Sequence, residues 1–104
     1  MAKTARMEKI EAMLADDPDD PFLRYSLGME HVGANDDASA AKVFGELVAV
    51  SPYIPAYHMA GQALNRLGRA EDACRMLREG IAAARTAGDT HALGEMEGLL
   101  SAIE

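Results

Sequence analysis

Apolar residues recur at intervals of three and four along most of the chain and nowhere alternate one-for-one with polar ones. Met7, Ile10, Met13 and Leu14 form one such stripe. Ala40, Val43, Phe44, Leu47 and Val48 form another, and Leu93, Met96, Leu99, Leu100 and Ile103 a third. That spacing follows the 3.6-residue turn of a helix rather than the two-residue pleat of a strand. The breaks between stripes set the boundaries. The pattern predicts a first helix over about Thr4 to Asp16, closed by "DPDDP", because residues before proline avoid the α region. A second helix starts near Pro21, where the missing N–H is harmless, and runs to about Gly33. Asp36 or Asp37 caps a third, which Pro52 closes. A fourth covers about Tyr53 to Leu67 and stops at Gly68; a fifth covers about Ala70 to Ala87 and stops at Gly88. Asp89 caps a sixth. Six helices and no strand make the chain all-α.

The prolines and glycines also keep a period. Pro18 and Pro52 are 34 residues apart, as are Pro21 and Pro55. Gly28, Gly61 and Gly94 step by 33, and so do Ala40 to Ala73 and Phe44 to Leu77. One residue is therefore lost between Pro55 and Gly61, at a helix start, where slippage costs little. Agreement between two sets of spacings points to a helical repeat rather than an ordinary bundle. The small residues have a physical role in such a repeat: Gly28, Gly61, Ala40 and Ala73 fall where paired helices touch.

On these residues the chain resembles the tetratricopeptide repeat, a helix–turn–helix unit with the motif W-x2-L-G-x2-Y, then A-x3-F, then P. Leu27-Gly28, Ala40, Phe44 and Pro52 match it, with Arg24 and His31 replacing the two aromatics. In a second unit, Tyr57, Ala60-Gly61 and Ala73 match, Leu64 and Leu77 stand in for aromatics, and Arg85 replaces the proline. The fifth helix is therefore expected to run long. Leu93-Gly94 repeats the L-G pair, and Ile10, Leu14 and Pro18 align with Phe44, Val48 and Pro52. The resemblance implies one domain: a half-repeat over 4–18, full repeats over 21–53 and 54–87, and a capping half-repeat over 89–104. It also implies a solenoid of about six antiparallel helices with right-handed superhelical stacking.

Composition narrows the function. The chain has 104 residues, 49% hydrophobic and 26% charged, which suits a single folded domain rather than disorder. A net charge of −7 opposes binding to a phosphate backbone or an anionic membrane surface. The expected partner is a protein or peptide, with no nucleic acid and no membrane. Glu8, Lys9 and Glu11 interrupt any apolar run in "MAKTARMEKIEAML", so this stretch does not read as a leader. Cys74 is the single cysteine, which excludes an internal disulfide and fits a reducing, cytoplasmic setting. On the core side of its helix, it reads as an inert apolar filler.

No phosphate loop or nucleophile–base pair is recognisable, and the chain is read as a non-enzyme without cofactor. His58 and His91 occupy equivalent positions 33 apart, with Glu95 a turn beyond, yet neighbouring helix axes roughly 8–10 Å apart oppose shared metal ligation. No metal is expected. "HMAGQ" at 58–62 superficially resembles the active helix of a histidine phosphotransfer domain, the remote alternative. That chemistry wants a lysine about three residues after the histidine, where Gly61 stands, and Gln62 follows.

The tetratricopeptide resemblance implies a concave groove lined by the first helix of each repeat. Its contact positions map to Phe22, Tyr25, Met29 and Val32, then to His58, Gln62, Asn65 and Arg66, with His91 and Glu95 on the last helix. The first set also stands out on its own. Leu23 and Leu27 already give the second helix a core-facing stripe, and Phe22, Tyr25, Met29 and Val32 make a second, turned by roughly 100°. A peptide or helix bound there, or a second copy forming a homodimer, would cover it. Arg66 could grip a carboxylate, while Gln62 and Asn65 could each donate and accept. The lysine and asparagine with which some relatives clamp a C-terminal carboxylate are absent: Tyr25 and Met29 stand in their places.

Overall fold

Four of the six helices begin with a side-chain acceptor for the orphan N–H groups of the first turn. The computed structural model describes residues 3–104, so Met1 and Ala2 at the start of the N-terminal stretch lie outside the described residues. Six helices follow: α1 (Ala5–Asp16), α2 (Pro21–Gly33), α3 (Asp37–Val50), α4 (Ile54–Arg66), α5 (Ala70–Ala87) and α6 (Thr90–Ile103). No strand occurs among the described residues. The Thr4 hydroxyl accepts from the Met7 N–H at 3.1 Å. Asp20 Oδ1 accepts from Phe22 and Leu23 at 2.9 and 3.3 Å, just ahead of Pro21 in the first turn. Asp36 and Asp89 serve α3 and α6 in the same way, accepting from Ser39 at 3.1 Å and Ala92 at 3.0 Å. Each such cap contributes about 1 kcal/mol.

The helix ends follow a shared pattern as well. After α2, α4 and α5 the chain enters the left-handed region, at Asn35 (φ 60°), Gly68 (φ 78°) and Gly88 (φ 72°). In each case the next N–H reaches back to the last turn at 2.9 Å: Asp36 to the His31 carbonyl, Arg69 to Leu64, and Asp89 to Ala84. This Schellman closure satisfies carbonyls that the helix leaves unpaired. Short turns at 17–20, 34–36, 51–53, 67–69 and 88–89 then make sequential neighbours pack together. Each helix touches the next, and α4 also touches α6. The molecule extends 37 × 28 × 19 Å.

Two apolar clusters lie in succession along this stack. Ala40, Phe44 and Leu47 of α3 meet Ala56, Ala60 and Ala63 of α4 in the first. Leu77, Ile81 and Ala84 of α5 meet Met96 of α6 in the second. Phe44, Leu47, Leu77 and Met96 are the large side chains most completely removed from water. Burial of each stabilises by about 1.5–3 kcal/mol relative to exposure. Glycine sets how closely the helices approach. A methyl group on Gly28 would lie 2.6 Å from Phe44 Cζ, and one on Gly61 would lie 2.7 Å from a Leu77 methyl.

Gly80 is a third such position, one that repeat spacing did not single out. A methyl there would lie 2.5 Å from Tyr57 Cβ and 2.6 Å from Met96 Sδ, so this glycine lets α5 fit between α4 and α6. Gly94, by contrast, shares the register of Gly28 and Gly61 but meets nothing within 4 Å. The α5 helix is the longest at 18 residues, consistent with an arginine rather than proline at position 85.

Helix propensity alone would make every Gly→Ala change in a helix favourable, by about 1 kcal/mol. Contact geometry predicts opposite signs at two sites. Gly28→Ala is expected to destabilise by about 1–3 kcal/mol through overpacking against Phe44. Gly45→Ala, inside α3 with open space beyond it, is expected to stabilise by about 0.5–1 kcal/mol. Urea midpoints of the two variants provide the measurement. Shifts in the same direction would contradict the packing assignment.

Candidate interaction surface

The four apolar residues singled out on α2 divide into two pairs in the structure. Phe22 and Met29 are exposed, at 61% and 36%. Tyr25 and Val32 are half-buried and pack against the Phe44 cluster. The Tyr25 ring lies 5.7 Å from Phe44 and 5.2 Å from Tyr53 between centroids, both tilted, the geometry that aromatic quadrupoles favour. The supposed second face of α2 is thus partly core. It lies about 100° from Leu23 and Leu27, but α3 wraps far enough around α2 to cover its middle. Leu23 and Leu27 are themselves only half-buried, and Gly28 is the fully covered residue of this helix.

The polar set on α4 is similarly mixed. His58 and Gln62 are half-buried, with Gln62 Nε2 3.4 Å from His58 Nε2 one turn away. Asn65 is exposed. Arg66 already has a carboxylate: its Nε and Nη2 lie 2.9 and 2.8 Å from Asp37 Oδ1, at the start of α3. This contact links the end of α4 to the first turn of α3, a role no local motif announces because the partners are 29 residues apart. Of the two residues considered on α6, His91 and Glu95 pair with each other at 3.4 Å on an exposed face. Among the described residues, no group of three or more His, Cys, Asp or Glu could hold a metal ion. His31 sits half-buried beside Asp36, with Nδ1 4.0 Å from Oδ2. Cys74 is buried. No helix of the described residues is long and apolar enough to cross a membrane.

Electrostatics mark the same aromatic region. Burial pushes the Tyr25 hydroxyl above its ordinary pKa of 10.0, with the neighbouring Tyr53 adding to the effect. Burial does the same for Tyr57, helped by Glu79. Hydrogen bonds from Ser39 hold the Asp36 carboxyl below its usual 3.8.

No family model matches the chain. A TPR repeat-containing protein of Pseudomonas aeruginosa is 31% identical over 99 residues, covering 94% of each chain. The chain belongs to the tetratricopeptide repeat family. Solved structures agree with this tetratricopeptide repeat fold. A tetratricopeptide repeat domain protein of Salinibacter ruber, determined in solution, matches at 34% identity and a TM-score of 0.78, over 84% of this chain and 89% of that one. A Bordetella parapertussis protein matches at 26% identity and a TM-score of 0.81, over 97% and 89% respectively. A tetratricopeptide repeat fold indicates a protein–protein interaction module in general terms.

The raised tyrosine pKa values carry a pH dependence of defined sign. Ionisation is penalised in the folded state, so Tyr25 and Tyr57 contribute stability that is complete below pH 10 and is lost as pH climbs through their raised values. Tyrosinate absorbance should therefore show a late-titrating component. Tyr25→Phe should shrink that component and flatten the alkaline loss of stability; loss of absorbance from the ordinary component alone, with the late component intact, would place Tyr25 in open solvent instead.

Proposed function

We propose that this protein is a non-catalytic interaction module that binds a peptide or helix from another protein across the α2 and α4 face. The observation that supports this reading is the exposure of Phe22 and Met29 on either side of the anchored Tyr25. Large apolar side chains held on a rigid helix offer contact area with little ordering cost. Tyr25 and Val32 support that surface from beneath through their contact with the Phe44 cluster. On α4, the paired His58 and Gln62 offer donors and acceptors for a bound backbone, and Asn65 adds a freely accessible amide. Arg66 acts as a structural clamp on Asp37, so recognition of an acidic terminus does not depend on it.

The partner class is protein. The net charge of −7 leaves the counterion-release term that drives nucleic-acid binding unfavourable. Cytoplasmic residence is inferred from the lone cysteine, which fits a reducing compartment.

A displayed peptide library selected against the wild-type chain tests the reading. Enriched peptides should bind with Kd of about 1–100 µM, and Met29→Asp should weaken them roughly tenfold or more. Met29 is exposed, so the variant should keep the wild-type circular dichroism spectrum and melting midpoint. Peptides that bind Met29→Asp and wild type equally would move the binding surface elsewhere.

A further inference from the structure

Between α1 and α2 lies an open slot with a cavity volume of about 410 Å³. It is lined on α1 by Arg6, Lys9, Ile10 and Met13, and on α2 by Phe22 and Leu23. The repeat spacing shows what this slot corresponds to. A shift of 34 carries Arg6, Ile10 and Met13 onto Ala40, Phe44 and Leu47 of α3. Those three are almost wholly buried, and Gly28 of α2 packs against the Phe44 ring among them. The slot beside α1 is thus the counterpart of the place that α2 fills beside α3. Among the described residues no helix occupies it: Ile10 at its floor is buried by its own chain, while Met13 and Phe22 at its walls are 42% and 61% exposed.

The opposite end of the stack carries the matching shape. Gly94 of α6 lies at the register of Gly28 and Gly61, each of which receives a large side chain from the following helix. Apart from the adjoining residues and the nearby backbone of α6 itself, no described atom comes within 4 Å of a methyl built on Gly94, nor of one built on Gly98 a turn later. His91 and Glu95 are exposed beside Gly94. The charges are complementary too. The slot is lined by two cations, Arg6 and Lys9, and by no carboxylate. Arg6 is paired with Glu30 at 3.3 Å but is itself largely exposed. The α6 helix carries Glu95 and Glu97, both about half exposed; they pair with His91 at 3.4 Å and Arg85 at 3.6 Å.

We propose that the slot receives α6 of a second copy of this chain, so that α6 meets α1 of its neighbour as α2 meets α3 within one molecule. Met13 and Phe22 of one copy then cover the Gly94–Gly98 face of the next over the buried Ile10, and Arg6 and Lys9 face Glu95 and Glu97. The contact is heterologous, joining two different surfaces, so it builds head-to-tail chains unless the rotation closes a ring. It shares Phe22 with the proposed peptide-binding surface but does not rest on that reading, because Met13 and Gly94, the residues the test changes, lie outside that surface.

Light scattering on the 104-residue chain over roughly 10 µM to 1 mM tests this. The weight-average mass of wild type should rise at least about twofold across the series. Gly94→Gln, whose Cβ enters open space, should hold the chain monomeric with unchanged helicity. Met13→Glu should do the same from the other end; Lys9→Glu replaces it if Met13→Glu loses helicity. Mixing the two monomeric variants should restore a one-to-one complex and nothing larger, since each keeps one intact surface. A wild type that stays monomeric at the highest concentration overturns the proposal and leaves the slot to some other amphipathic helix. So does an oligomer that survives both variants, or a pair of variants that fail to complement.

Discussion

The structure depends on how closely paired helices approach, and glycine facing a large apolar side chain sets that distance. The Phe44 ring closes on the backbone of α2 because position 28 has no side chain, and Leu77 closes on α4 at Gly61 for the same reason. Close-packed interiors tolerate neither voids nor overlap, so one methyl group at such a point forces the facing side chain or its helix to shift. Much of the rest follows from this approach. It brings Ala40 and Ala60 to full burial, lets α4 contact both α3 and α5, and keeps the turns between helices to a few residues. The same closeness puts Tyr25 within reach of both Phe44 and Tyr53.

Most of the fold was legible from residue order because its determinants are local. Caps at Thr4, Asp20, Asp36 and Asp89, and left-handed closures at Gly68 and Gly88, each involve groups within a few residues of one another. Such signals do not depend on what the rest of the chain does. The repeat period then supplied the pairing, since Gly28 and Phe44 recur as Gly61 and Leu77. Asn35 is informative in this respect. It stands 33 residues before Gly68 and adopts the same left-handed backbone, which asparagine tolerates better than most residues.

The candidate surface was less legible, for reasons that are equally physical. Whether a side chain a third of a turn from the main stripe is covered depends on how far the next helix wraps, which periodicity does not encode. Tyr25 and Val32 fall under α3, while Phe22 and Met29 remain outside. The pairing of Arg66 with Asp37 depends on two helices meeting in space and left no trace in local sequence. Gly80 was hidden from the repeat, because its counterpart one unit earlier is the large Leu47. Its importance lies in Met96 and Tyr57, which approach it from two other helices. The result is a scaffold whose internal contacts are read from short-range pattern and whose exposed surface is set by long-range packing. Interaction modules of this kind can therefore keep one fold while presenting different surfaces.

A double-mutant cycle joining Gly28→Ala and Phe44→Leu bears most directly on the glycine–ring contact. Leucine lacks the Cε1 and Cζ atoms that lie nearest the added methyl, so the cost of Gly28→Ala should fall when Phe44 is already shortened. A favourable coupling of about 0.5–3 kcal/mol between the two changes is the expected result. Strict additivity would mean that the helices are spaced by something other than this contact.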